Sequence, residues 1–262
     1  MSVTGTSYFV SLLPERHWAM STSLGHVNVS GSCKRHWAKS KKTNNGNEGE
    51  SALGPLALFS FIVQTKVEKH PYKQQHQQLK SLLRNHLQDG LLLDAREKGV
   101  MFPLVHFTED RNSLKKRLSD EYLLENDFLL HQGVYREVRN ICPEGDIQNL
   151  ENILPQHVGY ILLGFKSIDR NFSQVMVDSW KDWTGARYIY MYLPDELGLA
   201  RISFYTREAP DSLNMFMYVV LVECRTVNTR ERQMKLLDFA QRMRVERMSG
   251  YISVYSISME ES

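Results

Sequence analysis

Cysteine is scarce in this 262-residue chain: Cys33, Cys142 and Cys224 are odd in number and far apart. That excludes the disulfide framework of a small secreted domain and indicates a reducing compartment. No Cys-x-x-Cys pair occurs, and Cys33 with His36 supplies only half of a zinc pattern. Long apolar runs are lacking too. The longest, Leu53–Val63, is about half of the ~20 residues a helix needs to cross a bilayer, and Gly54, Pro55 and Ser60 interrupt it. The opening Met1–Leu13 contains no basic residue and only short apolar stretches, unlike a secretory leader. Nor does one sign of charge dominate: 32 Lys and Arg face 30 Asp and Glu, a net +2, which is not the footprint of a strong duplex binder. Gly-rich phosphate loops, a Gly-x-Ser-x-Gly elbow and a His-Glu-x-x-His pair are absent. These absences point to an intracellular protein, cytoplasmic or nuclear, with no membrane span, no metal and no small-molecule cofactor.

What is present is an ordinary globular composition, 42% hydrophobic and 24% charged, arranged unevenly. Residues 1–52 read as a flexible N-terminal segment, because Ser, Gly, Asn, Lys and Thr dominate Ser21–Ser51 and bury too little apolar surface to offset ordering entropy. Within it Arg16-His17-Trp18-Ala19 recurs as Arg35-His36-Trp37-Ala38, making Trp18 and Trp37 candidate peptide-docking residues.

From Leu56 the pattern changes. Leu56–Val67 reads as a strand, and Leu79, Leu82, Leu83 and Leu87 recur at helical spacing after Pro71. Leu91–Leu93 and Val100–Phe107 flank a Gly99 turn as a hairpin, Asn112 or Ser113 caps a second helix, and Asp127–Ile141 resumes a strand. After Cys142–Asp146 the order returns: strand Val158–Phe165, helix Arg170–Trp183, a hairpin of Arg187–Leu193 with Leu199–Thr206, strand Asn214–Cys224, helix from Asn228 or Thr229 to Met248, and strand Tyr251–Ile257. The expected fold is therefore α+β, with antiparallel sheets carrying helices on one face. Its element order suggests two tandem βαββαβ (ferredoxin-like) units, residues 53–145 and 146–262.

The second-half hairpin carries the most informative surface. Period-2 alternation places Ile189, Met191, Leu193, Ile202 and Phe204 on an apolar face. Tyr188, Tyr190, Tyr192, Arg201, Tyr205 and Arg207 fall on the opposite one. Tyr and Arg are enriched at interface centres and also stack on bases, although Tyr is equally a good strand residue. The sequence therefore favours a non-catalytic interaction or adaptor protein whose binding residues are those six, with a protein partner. The alternative is a single-stranded RNA-binding protein, since the predicted unit resembles the general architecture of RNA-recognition folds. A third reading is a hydrolase centred on His106 or His157: His106-Phe107-Thr108 resembles one copy of the His-x-Thr element of two-histidine phosphodiesterases, but Ser203–Thr206 holds no second copy.

Overall fold

In β1 (Leu56–Gln64), Ala57, Phe59 and Phe61 bury into one apolar cluster while Leu58 and Ile62 bury into others on the opposite face. A strand buried on both sides needs a layer over each. The computed structural model describes residues 54–64, 72–87, 89–110, 112, 114–115, 128–143, 158–166, 173–210, 214–246 and 250–258. Within them β1 pairs with β3 (Leu104–Thr108) and β4 (Phe128–Ile141). β2 (Leu91–Ala95) joins β3 to β8 (Tyr251–Ile257). From β8 the ladder continues through β5 (Gly159–Phe165), β7 (Tyr218–Cys224) and β6 (Leu199–Ala209), and β6 returns to β4. All pairings are antiparallel, and the eight strands close into a barrel in the order β1-β3-β2-β8-β5-β7-β6-β4.

This corrects the expected α+β arrangement of open antiparallel sheets in tandem ferredoxin-like units with helices on one face. The β2–β8 and β4–β6 seams pair the strands that would otherwise be sheet edges, so a single barrel forms with no open sheet. The first four strands lie in the order β4-β1-β3-β2 and the last four in β8-β5-β7-β6. Reading strands one after another gives that local order but not the closure, which depends on contacts far apart in sequence.

The barrel interior is filled mainly with aromatic side chains. Phe59 meets Phe107, Tyr135 and Tyr205 at ring-centre distances of 4.9–5.2 Å. Phe216 meets Phe61 at 5.3 Å and Phe102 at 5.5 Å. Such tilted and edge-on contacts are the favoured geometry for aromatic pairs. Gly164 makes room for this packing, since a methyl group there would lie 2.4 Å from Phe216 Cε2.

Helices cover the outside. α1 (Tyr72–His86) lays Leu79 and Leu83 over Ile62 and Leu104. Beneath it Asp94 of β2 accepts a hydrogen bond from His76 Nε2 at 2.8 Å and ion-pairs with Lys80. Burial pushes the Asp94 carboxyl pKa up, but the hydrogen bonds and charges of His76 and Lys80 outweigh it and hold the value below 3.8. On the other side α2 (Ser173–Asp178), α3 (Trp180–Trp183), α4 (Ala186–Tyr192) and α5 (Arg230–Glu246) pack on β5 to β8, with Trp180 stacked on Phe204 at 5.1 Å. Among the described residues no helix is long and apolar enough to cross a membrane.

The expected strand Arg187–Leu193 is instead α4. Thr184 Oγ1 donates to Trp180 O at 2.6 Å and accepts from Ala186 N at 3.2 Å, while Gly185 takes a left-handed φ of 79° and the helix restarts. Ala186, Ile189 and Leu193 then bury together at 3- and 4-residue spacing, a period that competed with the Tyr alternation and won through packing.

Two outcomes follow from this packing. Gly164→Ala is expected to lower stability by about 1–3 kcal/mol, read from the urea midpoint, because the Phe216 ring cannot retreat from a filled interior. Asp94→Asn is expected to cost about 1–3 kcal/mol at neutral pH. The folded-state pKa of Asp94 lies below its unfolded value, so this contribution is present above pH 3.8 and is lost as pH falls through the folded pKa. A wild-type advantage that grew on acidification would contradict this assignment.

Candidate active site

At one barrel end the interior turns polar. Going round it, Tyr160 of β5 stands opposite Glu223 of β7, Glu223 opposite Arg201 of β6, and Tyr205 of β6 opposite Glu137 of β4. Opposed residues share a face, and Tyr160 and Tyr205 belong to the interior cluster, so the row points inward.

Two irregularities make this possible. In β6 the pairing shifts between Leu199 and Arg201, which turns Leu199 outward into the helix-covered core and leaves Arg201 facing in. In β4 Glu137 follows Tyr135 on the inward period and Val138 packs on the outer core, and the shift between Glu137 and Arg139 then turns Arg139 outward.

The Glu137 carboxylate is only 4% exposed. Arg201 Nη2 donates to Glu137 Oε1 at 2.7 Å and Oε2 at 2.6 Å, and Asn140 Nδ2 donates to Oε1 at 2.6 Å. Charge-assisted bonds on both oxygens offset much of the cost of burying the anion. Arg201 Nε is buried and meets no hydrogen-bond partner among the described residues, a donor whose desolvation costs about 1–3 kcal/mol if nothing meets it. Tyr205, itself 2% exposed, donates its hydroxyl to Glu109 Oε1 at 3.2 Å. Glu109 follows the end of β3 and is exposed. Arg225 Nε pairs with Glu223 Oε1 at 2.6 Å.

Burial, followed by the charges of Glu109 and Glu137, drives the Tyr205 phenol well above 10. Burial, followed by the charge of Glu223, does the same to Tyr160. Both hydroxyls therefore remain protonated donors at physiological pH. Among the described residues no group of three or more His, Cys, Asp or Glu is placed to hold a metal ion.

Of the six sheet-face residues read from sequence, Arg201 and Tyr205 meet at this end. Arg207 lies further along β6, where its Nη1 donates to Phe216 O at 3.2 Å. Tyr188, Tyr190 and Tyr192 lie on α4, outside the barrel, with Tyr188 stacked on Phe239 at 5.8 Å. His106 faces outward on β3, buried, its Nε2 2.6 Å from Asp89 O. Trp18, Trp37 and His157 lie outside the described residues. Sequence reasoning missed Glu109, Glu137, Asn140, Tyr160 and Glu223. The available signal was Tyr135 and Glu137 alternating in one strand, a charge on an otherwise inward-facing period.

Replacing Arg201 by Met strands the Glu137 carboxylate and is expected to cost about 3 kcal/mol in chemical denaturation. The double variant Glu137→Leu/Arg201→Met should recover most of that loss. Equal instability of both variants would mean that packing, and not the charge pair, sets the cost.

Among solved structures, the chain is similar to an anthrone oxidase-like protein (8% identity, 78% of this chain and 92% of the other, TM-score 0.48). It is also similar to a mutant chlorite dismutase from Candidatus Nitrospira defluvii (11%, 80% and 92%, 0.39) and a monooxygenase-like protein from Listeria innocua (9%, 79% and 96%, 0.36). The closed barrel removes the open Tyr–Arg sheet on which the adaptor and RNA-binding readings rested, and both are corrected. No curated protein matches the chain. The model of one family, described as a domain of unknown function (DUF7153), matches residues 87–257, which include every residue of the polar barrel end described above, and the chain belongs to that family.

Proposed function

We propose that this protein is an enzyme that transfers a proton on a small organic molecule bound at the polar end of the barrel. The observation that carries the reading is the Tyr205 hydroxyl, set on a buried ring inside the barrel, bonded to the exposed Glu109 and flanked by the Glu137–Arg201 pair. A few convergent polar groups over apolar walls at a barrel mouth form the usual setting of a small-molecule site. Titratable groups strongly shifted by burial and a charged neighbour are concentrated at such sites.

The groups divide the work by their bonds. Glu137 has both oxygens occupied by Arg201 and Asn140, so it holds Arg201 in place and is not the proton acceptor. Glu109 is reached from solvent and takes the proton leaving the bound molecule. Tyr205, kept neutral by burial, donates a hydrogen bond to Glu109 and orients it. The fixed positive charge of Arg201 lies where negative charge develops on the molecule as the proton departs.

The test is deuterium uptake from heavy water by a panel of small C–H acids, neutral and charged, followed by proton NMR. At least one should exchange faster with the protein than without it, and Glu109→Gln should slow that exchange by about 10²–10⁴-fold. Exchange no faster than buffer across the panel, or unaffected in Glu109→Gln, would end the proposal.

A further inference from the structure

The barrel's outer face is covered from two sides. α1 lies over β1 and β3 through Ile62 and Leu104, and α5 lies over β5 and β8 through Ile161 and Val254. Between these covers runs the β2–β8 seam, where Asp94 stands opposite Ser256. A groove opens there along the edge of α5. Val227, Leu236 and Val254 form its apolar walls, while Arg96, Gln233 and Ser256 bring polar side chains to it from the end of β2, from α5 and from β8. Gly159 lets α5 press close, since a methyl group there would lie 2.9 Å from Leu236 Cδ2. The enclosed part of the groove is therefore narrow, with room for one small group, and the remainder is open to solvent.

The neighbouring polar groups along this seam are committed. Asp94 is held by His76 and Lys80, and Glu97 accepts from Arg244 and Ser253. In contrast, among the described residues no hydrogen bond or ion pair is made by the side chains of Arg96, Gln233 and Ser256. Ser256 is only 9% exposed, and a polar group so deeply placed normally has a partner. The charges of Asp94 with Lys80 and of Glu97 with Arg244 cancel, which leaves Arg96 as the charge that lines the groove. On the α5 side Arg230, Arg232 and Lys235 outnumber Glu231 and Glu196, both of which are bonded to Lys235. The groove therefore attracts an anion.

We propose that this groove binds a small organic monocarboxylate, at a site on the outside of the barrel wall that is independent of the proton-transfer reading. One guanidinium matches one negative charge, and its planar fork suits the two oxygens of a carboxylate. The Gln233 amide and the Ser256 hydroxyl supply further donors to the same oxygens. Apolar walls favour an organic acid over an inorganic ion, and the narrow enclosed part admits only a short chain. A dianion such as phosphate would bring a second charge that no side chain lining the groove meets. An uncharged amide of the same shape would leave the guanidinium without its counter-charge.

Four probes decide the matter: propionate, propionamide, chloride and phosphate, titrated at constant ionic strength into the full-length protein while arginine Nε–H and glutamine side-chain N–H resonances are followed by NMR. Propionate should shift the Arg96 and Gln233 signals together and to saturation, the two being assigned by their disappearance in Arg96→Gln and Gln233→Ala. Propionamide, chloride and phosphate should each bind at least about tenfold more weakly. Arg96 is exposed, so Arg96→Gln leaves the fold in place, and it should weaken propionate about tenfold. Ser256→Val keeps the Arg96 charge but removes the deep donor, and should also weaken propionate, which general attraction to a surface charge would not predict. Should that variant fail to fold, the ranking of propionate against chloride on the wild type still decides. Shifts that do not saturate, chloride binding as tight as propionate, unchanged affinity in Arg96→Gln, or no binding of propionate would each overturn the proposal. None of these results depends on turnover, so the deuterium-exchange outcome stays separate.

Discussion

The backbone pairing between β4 and β6 is the constraint on which most of the molecule depends. It closes the barrel, and in doing so sets Glu137 opposite Tyr205 and within reach of Arg201. Strands that lie far apart in sequence meet there, so the loop-closure entropy is large and has to be recovered by what the seam buries. The register shifts at Glu137 and near Leu199 are part of the same constraint. They interrupt the ladder where an ion pair, rather than another apolar pair, is turned toward the interior.

The closed sheet also explains why helices gather outside. Once the aromatic residues of β1, β3, β4, β5, β6 and β8 fill the interior, the outward face is still apolar, and only helices with apolar stripes can cover it. α1 and α5 do this with Leu79, Leu83, Leu236, Phe239 and Met243. The Asp94 carboxylate is a charged group on that face under α1, and it is held there by His76 and Lys80 on successive turns of the same helix.

Much of the local structure was legible in the sequence. The hairpin of β2 and β3, the helix from Arg230, and β5, β7 and β8 correspond to short-range patterns: period-2 alternation, a cap at Thr229 and glycine turns. What could not be read was what the strands do together. Closure is a long-range property, and in Arg187–Leu193 two periods compete in one heptapeptide, with burial of Ala186, Ile189 and Leu193 deciding between them. The site was half visible for the same reason. Arg201 and Tyr205 stood out by residue type and face, but the face was assigned to solvent because nothing in a single strand says which side a barrel will enclose. Glu137 comes from β4 and Glu109 from just beyond the end of β3, and they join the pair only after closure.

The aromatic packing between the two ends has a kinetic consequence. Phe59, Phe61, Phe102, Tyr135 and Phe216 are joined by ring contacts inside the barrel, and close-packed rings of this kind leave no ready path for a molecule along the axis. Under the proposed function, a molecule that enters beside Glu109 has to depart past Glu109 as well. Arrival and departure therefore use one doorway in turn, and the next molecule waits until the last has gone.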